Sequence, residues 1–495
     1  MSNLKNIGLL LILLTQTFVW SQDNVFIGRD FWKTNPTINQ VEEKIKEGNS
    51  PSQLNKYGFD AVVYALLQSA DTDVIKHLLT KKGNDVNKLT HDGRTYIFWA
   101  AYKNNMPIVK HLLANGAKTD VIDDKGFSLF NFTAVAGVTN IKLYDLLISK
   151  GANPAKEKTP YGANALLLIA PNLKDFSMID YFTKKGLSIN DVDNNGDGIF
   201  NYVAEKDNRP MLEILIKKGL PYKNLNKIGG NAMQFATQGS RKGYNSLAYY
   251  KYLENLGINP NNTDKKGNTP LLNIAYGNTD IASFNYFINK GINVNQANKD
   301  GDTPLLYATY KNNLEIIKLL ASKTKNINHT NNEGHTALTN ALRNKIEVID
   351  FLIKKGANTN IIDKKGNDLT YHLFKNFPKK DNADFLKKLN LLQEKGLVIT
   401  NPQKNGNTLY HLAVEKQNIT LLKFIKNLKI DINSKNKNGY TALQLAVMKA
   451  KNNTIIKHLI TEGANKNVKT DFDESLYDLA NENEALKNID ISFLK

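Results

Sequence analysis

The sequence predicts an all-α solenoid of about twelve stacked repeats closed by a terminal unit at each end. Two observations carry that prediction. A turn glycine returns at Gly58, Gly93, Gly126, Gly162, Gly196, Gly229, Gly267, Gly301, Gly334, Gly366, Gly406 and Gly439, with intervals from 32 residues (Gly334 to Gly366) to 40 (Gly366 to Gly406). Between successive glycines lie two short amphipathic segments with helical spacing, too small to bury their apolar faces alone.

The stretch Asn298 to Asn328 shows the unit most cleanly. Asp300-Gly301 is a turn, where glycine is free to take a positive φ. Thr303-Pro304 opens a helix, with Thr as N-cap and Pro at the first helical position, where a missing N–H costs nothing. Leu305, Leu306 and Ala308 form its apolar face, and Asn312-Asn313 ends it. A second helix begins at Leu314 and carries Ile316, Ile317, Leu319 and Leu320.

With these residues in view, the openings Thr269-Pro270-Leu271, Thr303-Pro304-Leu305, Thr336-Ala337-Leu338 and Thr441-Ala442-Leu443 resemble the T-P-L-H opening of ankyrin repeats. The closings Gly116-Ala117, Gly151-Ala152-Asn153, Gly356-Ala357-Asn358 and Gly463-Ala464-Asn465 resemble the family's G-A-D/N ending. The resemblance spans roughly residues 50 to 480 and implies a β-hairpin finger plus a helix-turn-helix in each repeat. It says little about function, because one architecture serves many partners.

Taken in order, residues 1–21 read as a secretory signal peptide: Lys5, the apolar run Ile7 to Leu14, then Val19-Trp20-Ser21 before a cleavage point. A run of eight apolar residues is too short to span a bilayer. Residues 22–52 read as an N-terminal capping segment built on Thr37 to Gly48, with Phe31 and Trp32 folding back on it. The array occupies 53–470 without a linker, and its repeats from 58 to 228 are degenerate. Insertions near Gln238 to Asn245 and Lys375 to Asp384 fall between the two helices of their repeats, on one rim. Residues 471–495 read as a C-terminal capping segment.

With 65 Lys+Arg against 47 Asp+Glu, the formal charge is +18. Much of the basic excess closes second helices, as in Lys81-Lys82-Gly83, Lys184-Lys185-Gly186, Lys217-Lys218-Gly219 and Lys354-Lys355-Gly356. Cations there offset the carbonyl end of the helix dipole. Cysteine is absent, which excludes disulfides, thiol nucleophiles and cysteine-ligated zinc.

No catalytic motif survives inspection. Asp191 to Gly198 resembles the start of a calcium loop, but the twelfth position is Tyr202 in place of Glu, and Gly196 belongs to the turn series. The eight histidines are scattered, with His77, His111 and His458 at equivalent second-helix positions. Dinucleotide, P-loop and nucleophile-elbow patterns are missing. The expectation is therefore no enzyme, no cofactor, no metal and no small-molecule substrate.

Candidate binding residues come from the repeat register. Tyr102, Tyr276 and Tyr310 fall nine residues after their turn glycines, as does Arg343; Lys103 and Lys311 come next. The resemblance implies that these positions line the concave groove. It implies likewise that Tyr57, Phe59, Phe127, Tyr161, His335 and Tyr440, which flank turn glycines, form the finger tips. Large amphipathic side chains on a repeated scaffold suit protein recognition. The expected protein is a monomeric, exported scaffold, periplasmic sooner than secreted, that binds a partner protein. By family association it would support envelope or oxidative-stress functions. The alternative is electrostatic binding of a polyanion: envelope glycan, lipid headgroups or, least favoured, nucleic acid.

Overall fold

The repeat around Gly301 folds as its residues dictate. The side-chain oxygen of Asn298 accepts from the N–H groups of Asp300 (3.0 Å) and Asp302 (2.9 Å), which closes the turn. Gly301 sits there at φ +79°, and a Cβ would stand 2.8 Å from Asn331 Cα of the next turn. Thr303 caps helix Pro304–Thr309 through the N–H of Leu306, and Asn313 caps helix Leu314–Lys323 through Ile316. Leu305, Leu306, Ala308, Ile316, Ile317 and Leu320 are all buried. Each of these Leu and Ile side chains contributes roughly 1.5–3 kcal/mol relative to leaving it exposed.

The computed structural model describes residues 24–240, 242–378, 380 and 382–495. The segment read as a signal peptide lies outside them. The described residues hold 27 α-helices and no extended sheet. These are the paired helices of the all-α solenoid that the turn series predicts. Fingers at Ile122–Ser128, Val192–Gly198 and Ile362–Asp368 are each pinned by a single antiparallel bridge. Among the described residues, no helix is long and apolar enough to cross a membrane.

Successive turns are joined through their backbones. The N–H groups of Lys299, Asn332 and Lys364 donate to the carbonyls of Lys266, Asp300 and Glu333 (2.8, 2.8 and 2.9 Å), one repeat earlier in each case. The chain divides into two compact units, one reaching to Val203 together with Asn208–Lys218, the other comprising Ala204–Asp207 and Gly219–Lys495.

In the first unit, helix Ile38–Lys46 is opened by a reciprocal capping box between Thr37 and Gln40. Val41 is its buried residue; ahead of it Phe26 and Trp32 are buried, and the Trp32 indole donates to the Phe26 carbonyl (2.9 Å). In the second unit, the register runs one turn past Gly439. Asp473 takes a positive φ of 65° where the other turns have glycine, and Ser475 caps helix Leu476–Glu482.

The helix-end lysines have acidic partners one repeat back. Lys185 Nζ lies 2.8 Å from Asp145, and Tyr181, one turn earlier, donates to the same carboxylate (2.9 Å). Glu254 is met in the same way by Lys290 (2.5 Å) and Tyr286 (2.9 Å), and Glu42 by Lys81 and His77. The Lys81 and His77 hydrogen bonds hold the Glu42 carboxyl below its ordinary range. An aromatic or imidazole followed four residues later by lysine thus reads an acid on the preceding helix. Lys81, Lys185 and Lys290 are thereby paired within the stack.

Candidate functional site

Side chains nine residues after a turn glycine leave the end of a short first helix, where no further turn covers them. Tyr102 ends helix Tyr96–Tyr102 and is 42% exposed; Tyr276 follows helix Pro270–Ala275 and is 44% exposed. Tyr310 is half-buried after helix Pro304–Thr309, and Arg343 is exposed after helix Ala337–Ala341. Lys375 holds the same place after Gly366.

In the second unit Tyr276 and Tyr310 belong to one cluster. Tyr276 lies 6.5 Å, centroid to centroid, from both Tyr307 and Tyr310, and Lys311 Nζ sits 4.6 Å over the Tyr276 ring. Tyr244 joins them from the insertion near residue 240, its hydroxyl packed beside Gly277 together with the Lys311 stem. Burial holds the phenols of Tyr244, Tyr307 and Tyr310 above their ordinary pKa, so they remain neutral hydrogen-bond donors.

In the first unit Tyr102 belongs to a second aromatic group. Its ring stacks on Phe132 (5.7 Å), which meets Trp99 edge-on (5.9 Å). The Arg94 guanidinium lies 4.2 Å over Phe132 and binds Asp123 through Nε and Nη2, both at 2.7 Å. Lys103 reaches back to the Leu67 carbonyl (3.0 Å).

The finger-tip residues divide. Tyr57 and Tyr161 are exposed. Phe59, Phe127, His335 and Tyr440 are half-buried. Phe59 stacks on His91 at 4.5 Å and contacts Trp99, so its ring lies within the aromatic stack of the first unit. The carbonyl of Tyr440 accepts from His411 (3.0 Å). The calcium-like loop has its own internal use: Asp193 Oδ1 accepts the N–H groups of Asn195 and Asp197, and Oδ2 accepts the Tyr202 hydroxyl.

Sequence reading missed a second register, six residues after the turn glycine. Tyr64, Trp99, Phe132, Tyr202, Tyr307 and His372 all fall there. Four of them bond the side chain three residues before that glycine: Tyr64 with Asn55, Trp99 with Thr90, Tyr202 with Asp193 and His372 with Asp363. The ring run is visible in the sequence once that offset is counted.

One expectation needs correction. The histidines do not all stay apart: His335 and His372 meet at Asp363. Stacking lays the residue after one turn glycine against the opening of the next turn, a closeness that positions 37 residues apart do not announce.

The family model described as ankyrin repeats (3 copies) matches residues 61–158, 245–331, 276–363 and 378–470. The unmatched residues 159–244 lie largely in the stretch where the repeat pattern is weakest. No curated protein matches the chain. With well over half of its residues matched and the turn-helix-helix unit repeated throughout, the chain belongs to the ankyrin-repeat family, whose members are generally protein-interaction scaffolds.

Proposed function

We propose that this protein is an exported, non-catalytic scaffold that recognises a partner protein through the ends of its first helices and its finger tips. The observation that carries the reading is the cluster of Tyr276, Tyr307 and Tyr310 with Lys311 laid across it. Neutral phenols and a cation held over an aromatic face offer hydrogen bonds and apolar area at low entropic cost. Tyr102 and Lys103 in the first unit, and Arg343, Tyr57, Tyr161 and Tyr440, extend the proposed contact set. Phe127 and His335 belong to the proposed finger-tip contacts, and Phe59, stacked on His91, also shapes its finger.

Export rests on the residues 1–21 pattern, and a periplasmic destination suits a chain without cysteine. The terminal segments 22–52 and 471–495 are proposed as caps of an array spanning 53–470. A cluster built mainly of tyrosine rings favours a protein partner over a polyanion.

The test is capture from envelope extract with wild type beside the Tyr276→Ala/Tyr310→Ala variant, each at low and high salt. A band that resists salt and disappears with the folded variant supports the reading. Capture that vanishes with salt equally in both proteins overturns it in favour of polyanion binding.

A further inference from the structure

His335, Asp363 and His372 come from two successive repeats. His335 follows the turn glycine Gly334, Asp363 opens the next turn, and His372 lies on helix Leu369–Phe374 behind that turn. His372 Nε2 is 3.0 Å from Asp363 Oδ2, and His335 Nε2 is 3.9 Å from the same oxygen. One ligand atom from each residue lies within 4.8 Å of the other two, and this is the one such group among the described residues. Around a tetrahedral ion with bonds of about 2.0–2.1 Å, neighbouring ligand atoms stand about 3.3 Å apart. The two distances to Asp363 Oδ2 bracket that value, and the two imidazole nitrogens must draw together to hold an ion.

The three side chains are held to different degrees. Those of Asp363 and His372 are 3% and 2% exposed, while that of His335 is 17% exposed. The carboxylate cannot swing freely: Oδ1 accepts from the N–H groups of Lys365 and Asn367 (both 2.8 Å), and Oδ2 accepts from the Asn367 amide (3.0 Å). Two fixed ligands and a third on an accessible rim leave coordination positions open to solvent.

Other repeats show what is unusual here. The ring-to-turn bond is made elsewhere by Tyr64, Trp99 and Tyr202, so it does not require histidine. The residue after a turn glycine meets the next turn's acid at Arg94 and Asp123 as a plain ion pair. At Asp363 both neighbours are imidazoles. We infer that His335, Asp363 and His372 bind one divalent transition-metal ion of the Zn²⁺ or Co²⁺ kind, which clamps the Gly334 repeat to the Gly366 repeat. Imidazole with carboxylate favours such ions over Mg²⁺ and Ca²⁺.

The surroundings carry both signs. Glu333 lies 3.3 Å from His335, and Asp302 faces the same ring. Against them stand Arg343 and Lys375, whose Nζ is 2.9 Å from His372 Nδ1. Ligation through Nε2 places the ring proton on Nδ1, which then no longer accepts from Lys375, so the lysine must turn away. The lysine therefore opposes the metal, and removing it should tighten binding.

The test uses the full chain without a histidine tag, stripped with chelator and titrated with Co²⁺, followed by visible absorption and then by displacement with Zn²⁺. The expected result is one equivalent bound with the intense absorption of a tetrahedral site, and a thermal midpoint that rises with Zn²⁺. His335→Ala, which leaves the His372–Asp363 bond in place, should weaken binding by more than about tenfold and abolish the Zn²⁺-induced rise. Lys375→Met should bind Co²⁺ more tightly than wild type. Should His335→Ala fail to fold, His335→Gln takes its place, with the same expectation. Equal Co²⁺ binding by wild type and the His335 variant, or no tetrahedral absorption in wild type, overturns the inference and leaves a hydrogen bond between ring and turn.

Discussion

Asn344 donates from its side-chain amide to the main-chain oxygen of Asn312 (3.0 Å), the residue that holds the matching place, two before the second helix, one repeat earlier. Asn312 makes the same reach, donating at 2.9 Å to the carbonyls of both Ala275 and Asn278. Asn483 does so again, to Val447 and Ala450. The Ala275 and Val447 carbonyls lie in the last turn of first helices and those of Asn278, Asn312 and Ala450 just past such helices, where the helical ladder supplies no partner. A carboxamide of the following repeat supplies one at each of these three steps.

Replacing Asn312, which is buried, by Leu leaves the Ala275 and Asn278 carbonyls without that donor. Each unsatisfied buried group costs about 1–3 kcal/mol, so Asn312→Leu should destabilise by about 3 kcal/mol. Urea unfolding measured by circular dichroism reads this directly. A loss below about 1 kcal/mol would mean that water replaces the amide and that its bonds are dispensable.

Arg94 and Asp123 are both buried, and the Asp123 carboxylate also accepts the N–H groups of Lys125 and Phe127. Arg94→Met strands that carboxylate and should cost about 3–5 kcal/mol. The double variant Arg94→Met/Asp123→Asn should recover most of the loss. Asn already does the turn-closing work in the equivalent places Asn298 and Asn331 of this chain. No recovery in the double variant would show that Arg94 acts through its contact with Phe132 and not through charge.

What the sequence disclosed follows how far each interaction reaches. The Thr303 cap, the Pro304 start and the Gly301 turn act within a few residues, and all appear where the local pattern places them. The offset of nine residues is equally legible, because it counts along one helix. The partners of Trp99, Phe132 and His372 lie in neighbouring turns or repeats, so their rings look like ordinary core residues until the stack forms. Tyr244 is hidden differently. It arrives from an insertion whose length is visible but whose path, bent back over Gly239, is not. The helix dipole accounts locally for the lysines at the helix ends, while the acids that bind Lys185 and Lys290 sit 40 and 36 residues away.

Two glycines separate backbone strain from close approach. Gly116 has φ +84° with nothing within 4 Å of the place a Cβ would take, whereas Gly301 has φ +79° and its Cβ would stand 2.8 Å from Asn331 Cα. Gly116→Ala should cost about 1–2 kcal/mol, the left-handed penalty alone. Gly301→Ala should cost more, since the next turn must move and lengthen the Asn332-to-Asp300 backbone bond. Equal losses in thermal unfolding would show that the fingers yield freely.

His411 sets a pH limit on the last repeats. The Thr408 N–H donates to Nδ1 (3.1 Å), so the ring proton lies on Nε2 and is given to the Tyr440 carbonyl (3.0 Å) across the repeat boundary. Both ring nitrogens are thus committed in the neutral form, and burial holds the pKa below the ordinary 6.5. A protonated ring would turn Nδ1 into a donor facing the Thr408 N–H. Because the unfolded chain binds the proton first, the stabilisation is complete above about pH 6.5 and is lost as pH falls through the lower folded value. Thermal midpoints measured from pH 8 down to pH 4 should therefore decline more steeply for wild type than for His411→Gln, whose amide keeps the acceptor and donor without titrating. The variant should be the less stable at pH 8, and the gap should narrow on acidification. Parallel curves would place the acid sensitivity of this array elsewhere than at His411.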